Sequence, residues 1–204
     1  MLRLHHRFVF FVFIISFFFC YSVYAYTVGE KIIGYEYNEI LKHLIKKKFS
    51  IGVDVDENHK EFIYFEGETG LGYATVEVPY SKKIKRRLKK VINKFFEWSE
   101  IARKNKVNVE KGLGCFGSNK SYRACQKLGY AVSKNQMGLR FFSDKNGKLI
   151  GVIITLIDKY NEYKKACILI TDPSEMKKLL NNLDKIDSVL KKAHEEIRNK
   201  KLFK

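Results

Sequence analysis

The chain has 204 residues, of which 39 are lysine or arginine and 22 are aspartate or glutamate, so its formal net charge is +17. This length is enough for one domain with its own core, and the positive charge favours encounter with anionic partners. Most of the basic residues are lysine, which is less suited to bidentate phosphate recognition than arginine. We therefore do not expect nucleic acid as a partner. An AT-rich genome alone would also give a lysine-rich composition.

The first 25 residues have the pattern of a secretory signal peptide. A short basic segment precedes an unbroken apolar run over 8–20, and Val23, Tyr24 and Ala25 follow as a cleavage motif. We expect cleavage after Ala25, which leaves a single domain over 26–204 with a net charge of +15 and a secreted or periplasmic location. The alternative is an N-terminal membrane anchor, although the apolar run is shorter than the roughly 20 residues that usually span a bilayer.

The residues after the signal alternate between aromatic, helical and extended patterns. The segment 26–37 is aromatic and in part extended, and Asn38 is a candidate N-cap for a short helix. The apolar side of that helix would be formed by Ile40, Leu41, Leu44 and Ile45. Three extended segments follow, over 49–55, 61–66 and 73–78. The first and third alternate with the two-residue period of β-strands, and the second is aromatic on both faces.

A long amphipathic helix is predicted over 81–106, with Ser81 as its N-cap. Its apolar stripe contains Ile84, Leu88, Val91, Phe95 and Trp98. Its opposite face carries eight cations: Lys82, Lys83, Lys85, Arg86, Arg87, Lys89, Lys90 and Lys94. Cations in a first turn oppose the helix dipole, and like charges four residues apart repel, so helix stability alone does not favour this face. We interpret it as an anion-binding or partner-binding surface. The alternative is a solvated face in a lysine-rich protein.

Cysteine spacing predicts one disulfide. Cys20 belongs to the signal, whereas Cys115 and Cys125 bound one short glycine-containing segment. An oxidising compartment would let this pair form a disulfide, which stabilises the folded chain by about 2–3 kcal/mol. Cys167 lies in an apolar strand pattern, which predicts a buried free thiol. The spacing of cysteine and histidine fits no zinc motif.

The C-terminal half repeats the order of strands followed by a helix. The segment 108–136 is loop-like, with a helical turn near 122–128. Strands over 137–143 and 148–158 are joined through Asn146 and Gly147, a strong hairpin signal, and a third strand covers 164–171. The last helix begins at Asp172, with Pro173 in its first turn and Glu175 completing a capping box, and a frayed tail covers 198–204.

These elements predict an α+β fold in which an antiparallel sheet of about six strands packs two long helices on one face. Pro79 and Pro173 each separate a third strand from its helix. This recurrence suggests two related βββα halves with a period of about 90 residues.

We assign no catalytic, cofactor-binding or metal-binding residues from the sequence. Asp54, Asp56 and Asn58 resemble the start of a calcium loop, but His59 and Phe65 stand where that loop needs glycine and glutamate. An ordinary turn explains this segment, with a weak metal site at Asp54, Asp56 and His59 as the alternative.

A glycine pattern and a carboxylate pair also fall short of a site. Gly112, Gly114 and Gly117 have the spacing of a dinucleotide-binding loop, but that loop needs a strand before it and a helix after it. Glu97 and Glu100 lie one turn apart on the long helix, where nearby cations explain them as well as acid–base chemistry does.

The leading hypothesis is therefore a non-catalytic secreted or periplasmic protein. It would dock an anionic envelope component or an acidic protein through the basic helix face. One alternative is a carrier of a small apolar ligand between sheet and helices, and another is an envelope hydrolase-like enzyme.

Overall fold

The computed structural model of the protein describes residues 24–56, 58–117 and 122–201. In this part of the chain, nine strands form one antiparallel sheet and three helices accompany it. The strands are β1 (Tyr24–Thr27), β2 (Ile32–Asn38), β3 (His43–Val55), β4 (Glu61–Thr69), β5 (Gly72–Pro79), β6 (Val109–Gly117), β7 (Gln136–Ser143), β8 (Ile150–Ile157) and β9 (Lys165–Ile170). The helices are α1 (Lys82–Asn105), α2 (Tyr122–Leu128) and α3 (Pro173–Lys201).

Two antiparallel meanders make up the sheet. The strand order is β5-β4-β3-β2 followed by β9-β8-β7-β6, and the meanders meet where Tyr35 of β2 pairs with Leu169 of β9. Strand β3 has 13 residues and therefore spans about 40 Å. One half of β3 pairs with β2 and the other half pairs with β1, so β3 joins both of these strands to the first meander.

The sheet curls until its outer strand β5 reaches the second meander. The amide of Thr75 donates to Asp158, and the carbonyl of Thr75 accepts from the amide of Lys159, both at 2.8 Å. Asn135 bonds the amide and the carbonyl of Glu77 at 2.7 and 2.9 Å. Polar groups therefore cover this edge of β5, which would otherwise be open to pairing with another chain.

Helix α1 forms where it was predicted. Ser81 accepts a hydrogen bond from the amide of Ile84 at 3.2 Å, and Lys106 ends the helix in the left-handed conformation. Its buried side includes Leu88 and Phe95. The helical spacing of the apolar residues therefore determines which side of α1 faces the core.

Helix α3 begins with a cap that differs from the predicted capping box. Asp172 accepts from the amide of Ser174 at 2.8 Å, as an N-cap does. Glu175 is turned elsewhere, because its carboxylate accepts from the amide of Ile33 in β2 at 2.8 Å. The start of α3 is thus tied to the sheet. The helix continues to Lys201, so its last turn extends into the predicted frayed tail, of which residues 202–204 lie outside the described part of the chain.

Both meanders and both long helices contribute to one hydrophobic cluster. Helix α3 packs on β1, β2 and β3, whereas α1 packs on β6, β7 and β8. Away from the helices the meanders meet directly. A Cβ atom on Gly67 of β4 would lie 2.7 Å from the Cβ of Ala166 and 2.9 Å from Leu156 Cδ1. The glycine is therefore required for this close approach.

The sheet is larger than the six strands predicted, because β1, β2 and β6 join it, and the prediction of a short helix after Asn38 was wrong. Those residues form the turn and second strand of the β2–β3 hairpin. The side chain of Asn38 accepts from the amides of Ile40 and Leu41 at 3.0 and 2.8 Å. This Asx turn uses the same residue type and the same bonds as a helix N-cap, so the local sequence does not separate the two.

Strand β6 is the second difference, since 108–136 was predicted to be loop-like apart from its helical turn, which is α2. A Cβ atom on Gly112 would lie 3.0 Å from the carbonyl oxygen of Gln126, and one on Gly114 would lie 2.8 Å from Val91. The glycines therefore sit inside a strand and let α2 and α1 pack closely on it. They do not form the strand-to-helix loop of a dinucleotide site.

The predicted signal peptide falls mostly outside the described residues, which begin at residue 24. Its predicted last residue, Ala25, lies in β1 and pairs with Asp54 of β3. Cleavage after Ala25 would therefore leave Tyr26 and Thr27 as the paired part of β1.

Candidate functional site

The eight predicted cations of α1 divide into groups with different surroundings. The buried side of the helix lies against the core, so its two flanks face α3 and β6 and its outermost side faces solvent. The cations on the flanks have partners within the protein. The outermost cations form what we call the outer row, defined as Lys82, Lys83, Arg86 and Lys90, all of them exposed.

The flank that faces α3 is neutralised by carboxylates. Lys85 Nζ lies 2.7 Å from Asp187, and Lys89 forms an ion pair with Asp184. Tyr80 also donates its hydroxyl to Asp187. The bonds from Lys85 and then Tyr80 lower the pKa of Asp187, while burial and the neighbouring carboxylate raise the pKa of Tyr80. Lys85 and Lys89, which were predicted to belong to the anion-binding surface, are therefore neutralised within the protein.

Arg87, on the opposite flank, holds the disulfide region in place. One of its terminal nitrogens donates to the carbonyl of Cys115 at 2.8 Å and to Gln126 at 2.9 Å. Its guanidinium lies over the rings of Phe116 and Tyr122, 4.9 and 5.1 Å from their centroids. Burial lowers the pKa of Arg87, yet an arginine stays charged in proteins. Its charge is thus committed to internal contacts.

Lys94 rests on an aromatic ring on the same flank. Its Nζ lies 4.6 Å from the centroid of Trp98, and Lys111 of β6 approaches the same ring at 5.3 Å. Both amines keep solvent access, because neither residue is buried. Lys94 also borders a shallow surface groove with Arg86, Lys90 and Glu97. A cation at this position can therefore still meet a partner that binds beside the outer row.

The outer row forms no ion pair of this kind with a described carboxylate, although the charge of Lys82 contributes to lowering the pKa of Asp187. Among the described residues, no aspartate or glutamate forms an ion pair within 4.0 Å of any of its four members. Three of the four sit in the first turns of α1, where no acidic residue offsets the helix dipole. An anion that bound here would relieve both the mutual repulsion of the cations and their unfavourable position.

The predicted disulfide is present. Cys115 of β6 and Cys125 of α2 are bonded, with their Cα atoms 5.8 Å apart, and both are buried. Cys167 is free, as predicted, but the prediction that it is buried was wrong, because it lies exposed on β9. Alternation along β9 explains the difference: Ala166 and Ile168 face the core, so Cys167 faces outward.

The carboxylates and histidines considered for chemistry lie apart from one another or have structural partners. Glu97 and Glu100 are both exposed on α1. His194 of α3 pairs with Glu61 at 2.8 Å, and His59 stacks on His194 with the ring centroids 5.8 Å apart. Within 24–56, 58–117 and 122–201, no three histidine, cysteine or acidic residues are grouped so that they would hold a metal ion.

The two carboxylates of the calcium-like segment have separate structural roles. Asp56 accepts from the amides of Asn58 and Lys60 at 2.9 and 2.8 Å and so closes the turn. Asp54 is buried in β3, and its Oδ1 atom has no hydrogen-bond partner. Burial is the main cause that raises the pKa of Asp54, and the charge of Glu77 adds to it. This segment is a strand end and a turn.

The interior between sheet and helices is closely packed. A cavity of about 10 Å³ lies there, lined by side chains of both meanders and both long helices. An apolar ligand needs a pocket of roughly 300 Å³ or more. This cavity is therefore too small for the predicted apolar cargo.

The sequence reasoning missed a second exposed surface, the tip of the β2–β3 hairpin. Ile40 and Leu41 there are 90% and 56% exposed. They were assigned to the buried side of a helix, and the alternation of Tyr35 and Tyr37 with intervening polar residues was the available signal for a strand.

No protein-family model, no curated protein and no solved structure matches this chain. None of the helices in the described part of the chain combines the length and the apolar character needed to cross a bilayer.

Proposed function

We propose that this protein is an exported binding protein without catalytic activity, which docks an anionic envelope component or an acidic protein through helix α1. The observation that carries the proposal is the outer row. Its four exposed cations form no ion pair with a carboxylate among the described residues, although α3 supplies Asp184 and Asp187 to the neighbouring cations of the same helix.

The contrast between the outer row and the cations on the flanks of α1 favours a docking surface over a merely lysine-rich, solvated face. Lys85 and Lys89 stabilise the contact between α1 and α3, and Arg87 stabilises the disulfide region, so the fold itself accounts for these three. The fold does not account for Arg86 or Lys90. An acidic partner would meet the outer row and, beside it, the amine of Lys94 over Trp98. The attraction would be electrostatic and would weaken with salt.

Export is part of the proposal. The apolar run over 8–20 and the cleavage motif that follows it are its basis, and the disulfide is compatible with an oxidising compartment. An intact mass of the protein recovered from the periplasm or the medium tests this directly. A protein that keeps residues 1–25 in the membrane fraction would show the anchored alternative instead.

The docking surface is tested by charge reversal that spares the structural pairs. The variant R86E/K90E changes two outer-row residues, and K177E/K192E makes nearly the same change at two exposed positions of α3. We expect R86E/K90E to weaken binding to heparin, used as a soluble polyanion, by about tenfold or more near 50 mM salt, and the difference to vanish near 1 M salt.

The control separates a local surface from overall charge. An equal loss of heparin affinity in K177E/K192E would mean that only net charge matters, and the proposal would fail. The free energy of unfolding of R86E/K90E is expected to differ from that of the parent protein by no more than about 0.5 kcal/mol, because no internal ion pair of the described residues is removed. Co-purification of the exported protein with its native partner, followed by mass spectrometry, would identify the anionic molecule.

A further inference from the structure

The end of the β2–β3 hairpin projects from the sheet as two strands alone. Strand β2 pairs with β9 only at Tyr35, and β3 pairs with β4 only from Phe49 onward. Between these positions the hairpin residues pair only with each other, from Glu36 with Ile45 to Asn38 with His43. A two-stranded hairpin is at best marginally stable in water, so this projection gains little from the fold around it.

Apolar side chains concentrate on this projection. Ile40 and Leu41 form the tip, and Tyr37, Leu44 and Tyr35 lie behind it with 51%, 51% and 39% of their surface exposed. Single exposed apolar residues are common on proteins, whereas a contiguous exposed group marks a contact with another protein or a membrane.

The side chains are ordered along the hairpin axis. The aliphatic tip is followed on one face by the pair Tyr37–Leu44, and then by Tyr35 opposite Lys46. Lys48 is the next residue of β3 on that face. This order of aliphatic, tyrosine and lysine positions is the order of hydrocarbon, interface and head group in a bilayer.

The amides of both tip residues already have hydrogen-bond partners within the turn. The amides of Ile40 and Leu41 donate to the side chain of Asn38, and the carbonyl of Leu41 meets His43 Nδ1 at 3.0 Å. Backbone groups that enter an apolar phase without a partner are unfavourable, and this turn avoids that penalty for both tip amides.

The acidic residues of the hairpin do not oppose an anionic membrane. Glu36 lies on the other face, 3.3 Å from Lys47, and Glu39 in the turn lies 3.2 Å from Lys42. Lys46 and Lys48 are exposed and form no ion pair with a described carboxylate. They are therefore available to anionic head groups.

We propose that the β2–β3 hairpin inserts its tip into the surface of an anionic phospholipid bilayer, with Ile40 and Leu41 below the head groups and Lys46 and Lys48 among them. This contact is distinct from the outer row of α1. The tip adjoins the His43 end of β3. Helix α1 begins after Pro79, which pairs with Phe62, and Phe62 in turn pairs with Asp54 near the Val55 end. The two ends of β3 are about 40 Å apart.

Vesicle binding tests the proposal. The assay uses the protein purified from its own cells, after mass spectrometry has determined its N-terminus. Co-sedimentation compares neutral phosphatidylcholine vesicles with vesicles that contain phosphatidylglycerol. We expect I40S/L41S to lower the partition coefficient on the anionic vesicles by about tenfold or more. The control L149S removes a leucine of similar exposure, 51%, from another turn and should leave binding unchanged.

A local probe identifies the inserted segment. The chain contains one tryptophan, Trp98, so L41W adds a single new fluorophore at the hairpin. Brominated lipids should quench this added fluorescence, and K46E/K48E should weaken binding to anionic vesicles at low salt.

Three results would overturn the proposal. Unquenched L41W fluorescence on bound protein would show that the hairpin stays outside the bilayer. Loss of vesicle binding in R86E/K90E but not in I40S/L41S would show that α1 makes the membrane contact. Self-association in solution that I40S/L41S abolishes, without vesicle binding, would show that a second copy covers the hairpin.

Discussion

Substitution of Gly67 by alanine tests how the two meanders pack. Gly67 lies on the core side of β4, and an added Cβ atom would meet the Cβ of Ala166 at 2.7 Å and Leu156 Cδ1 at 2.9 Å. Both contacts are shorter than van der Waals distance, and Ala166 cannot turn away because its Cβ atom is fixed to the backbone of β9. The extra methyl group must therefore separate the two meanders or strain them.

The expected loss follows from two opposing effects. Overpacking a close-packed core typically destabilises by about 1–3 kcal/mol. Alanine also restricts the unfolded chain relative to glycine, which offsets about 0.4–1 kcal/mol. We expect G67A to lower the free energy of unfolding by about 1–2 kcal/mol net, which shifts the melting temperature of a chain of this size by about 2–8 °C.

Urea unfolding followed by circular dichroism measures the change, and the same hairpin supplies a control. A Cβ atom on Gly70, in the β4–β5 turn, would have no neighbour within 4 Å, so G70A should be nearly neutral. The double variant G67A/A166G should recover part of the loss, with a coupling energy of about 1 kcal/mol. If G67A were as mild as G70A, or if A166G gave no recovery, the direct contact between the meanders would be refuted.

Two further predictions concern stability. Replacing both Cys115 and Cys125 by alanine should lower the free energy of unfolding by about 2–3 kcal/mol, measured by urea unfolding, because the closed loop constrains the unfolded chain; no loss on replacement would contradict this. Asp54 has a raised pKa, so its ionised form destabilises the folded state at neutral pH, and this effect disappears once the pH falls below the ordinary pKa near 3.8. We expect D54N to be more stable than the parent by about 1 kcal/mol at pH 7 and equal to it near pH 3; an unchanged difference across that pH series would refute it.

The sequence predicted most long elements, because their patterns are strong and local. The apolar stripe of α1 and its Ser81 cap required only the residues of the helix itself. The β7–β8 hairpin followed from Asn146 and Gly147, and Gly147 has the positive φ of 62° that such a turn uses. Two closely spaced cysteines were likewise sufficient to predict the disulfide.

The wrong predictions arose where one local pattern serves two structures. Asn38 makes the same side-chain bonds to following amides in a turn as it would at a helix start. The glycines of β6 suggested a loop, and their reason is the close approach of α1 and α2, which tertiary structure alone reveals. The burial of Cys167 was wrongly predicted for a related reason. The two-residue period of β9 shows which residues share a face, but it does not show which of the two faces is turned to the core.

The candidate site was predicted as a set of residues but not as a set of available charges. Lys85 and Lys89 lie one turn apart on α1, and their partners Asp187 and Asp184 lie on α3, about 100 residues later in the chain. Only the antiparallel contact of the two helices shows that these cations are neutralised. The charge that a partner can use is therefore smaller than the charge that a helical projection displays, and it is concentrated near the start of α1.

That location has a consequence for how the protein would act. The outer row begins beside the Val55 end of β3, and the apolar hairpin tip extends from the His43 end. A molecule with cations at one end and an apolar tip at the other can hold two different surfaces at once, because a strand of about 40 Å separates them. If both contacts form, R86E/K90E should release only the soluble polyanion and I40S/L41S only the vesicle. Vesicles bearing the protein should then bind heparin, and this capture should be lost in either variant.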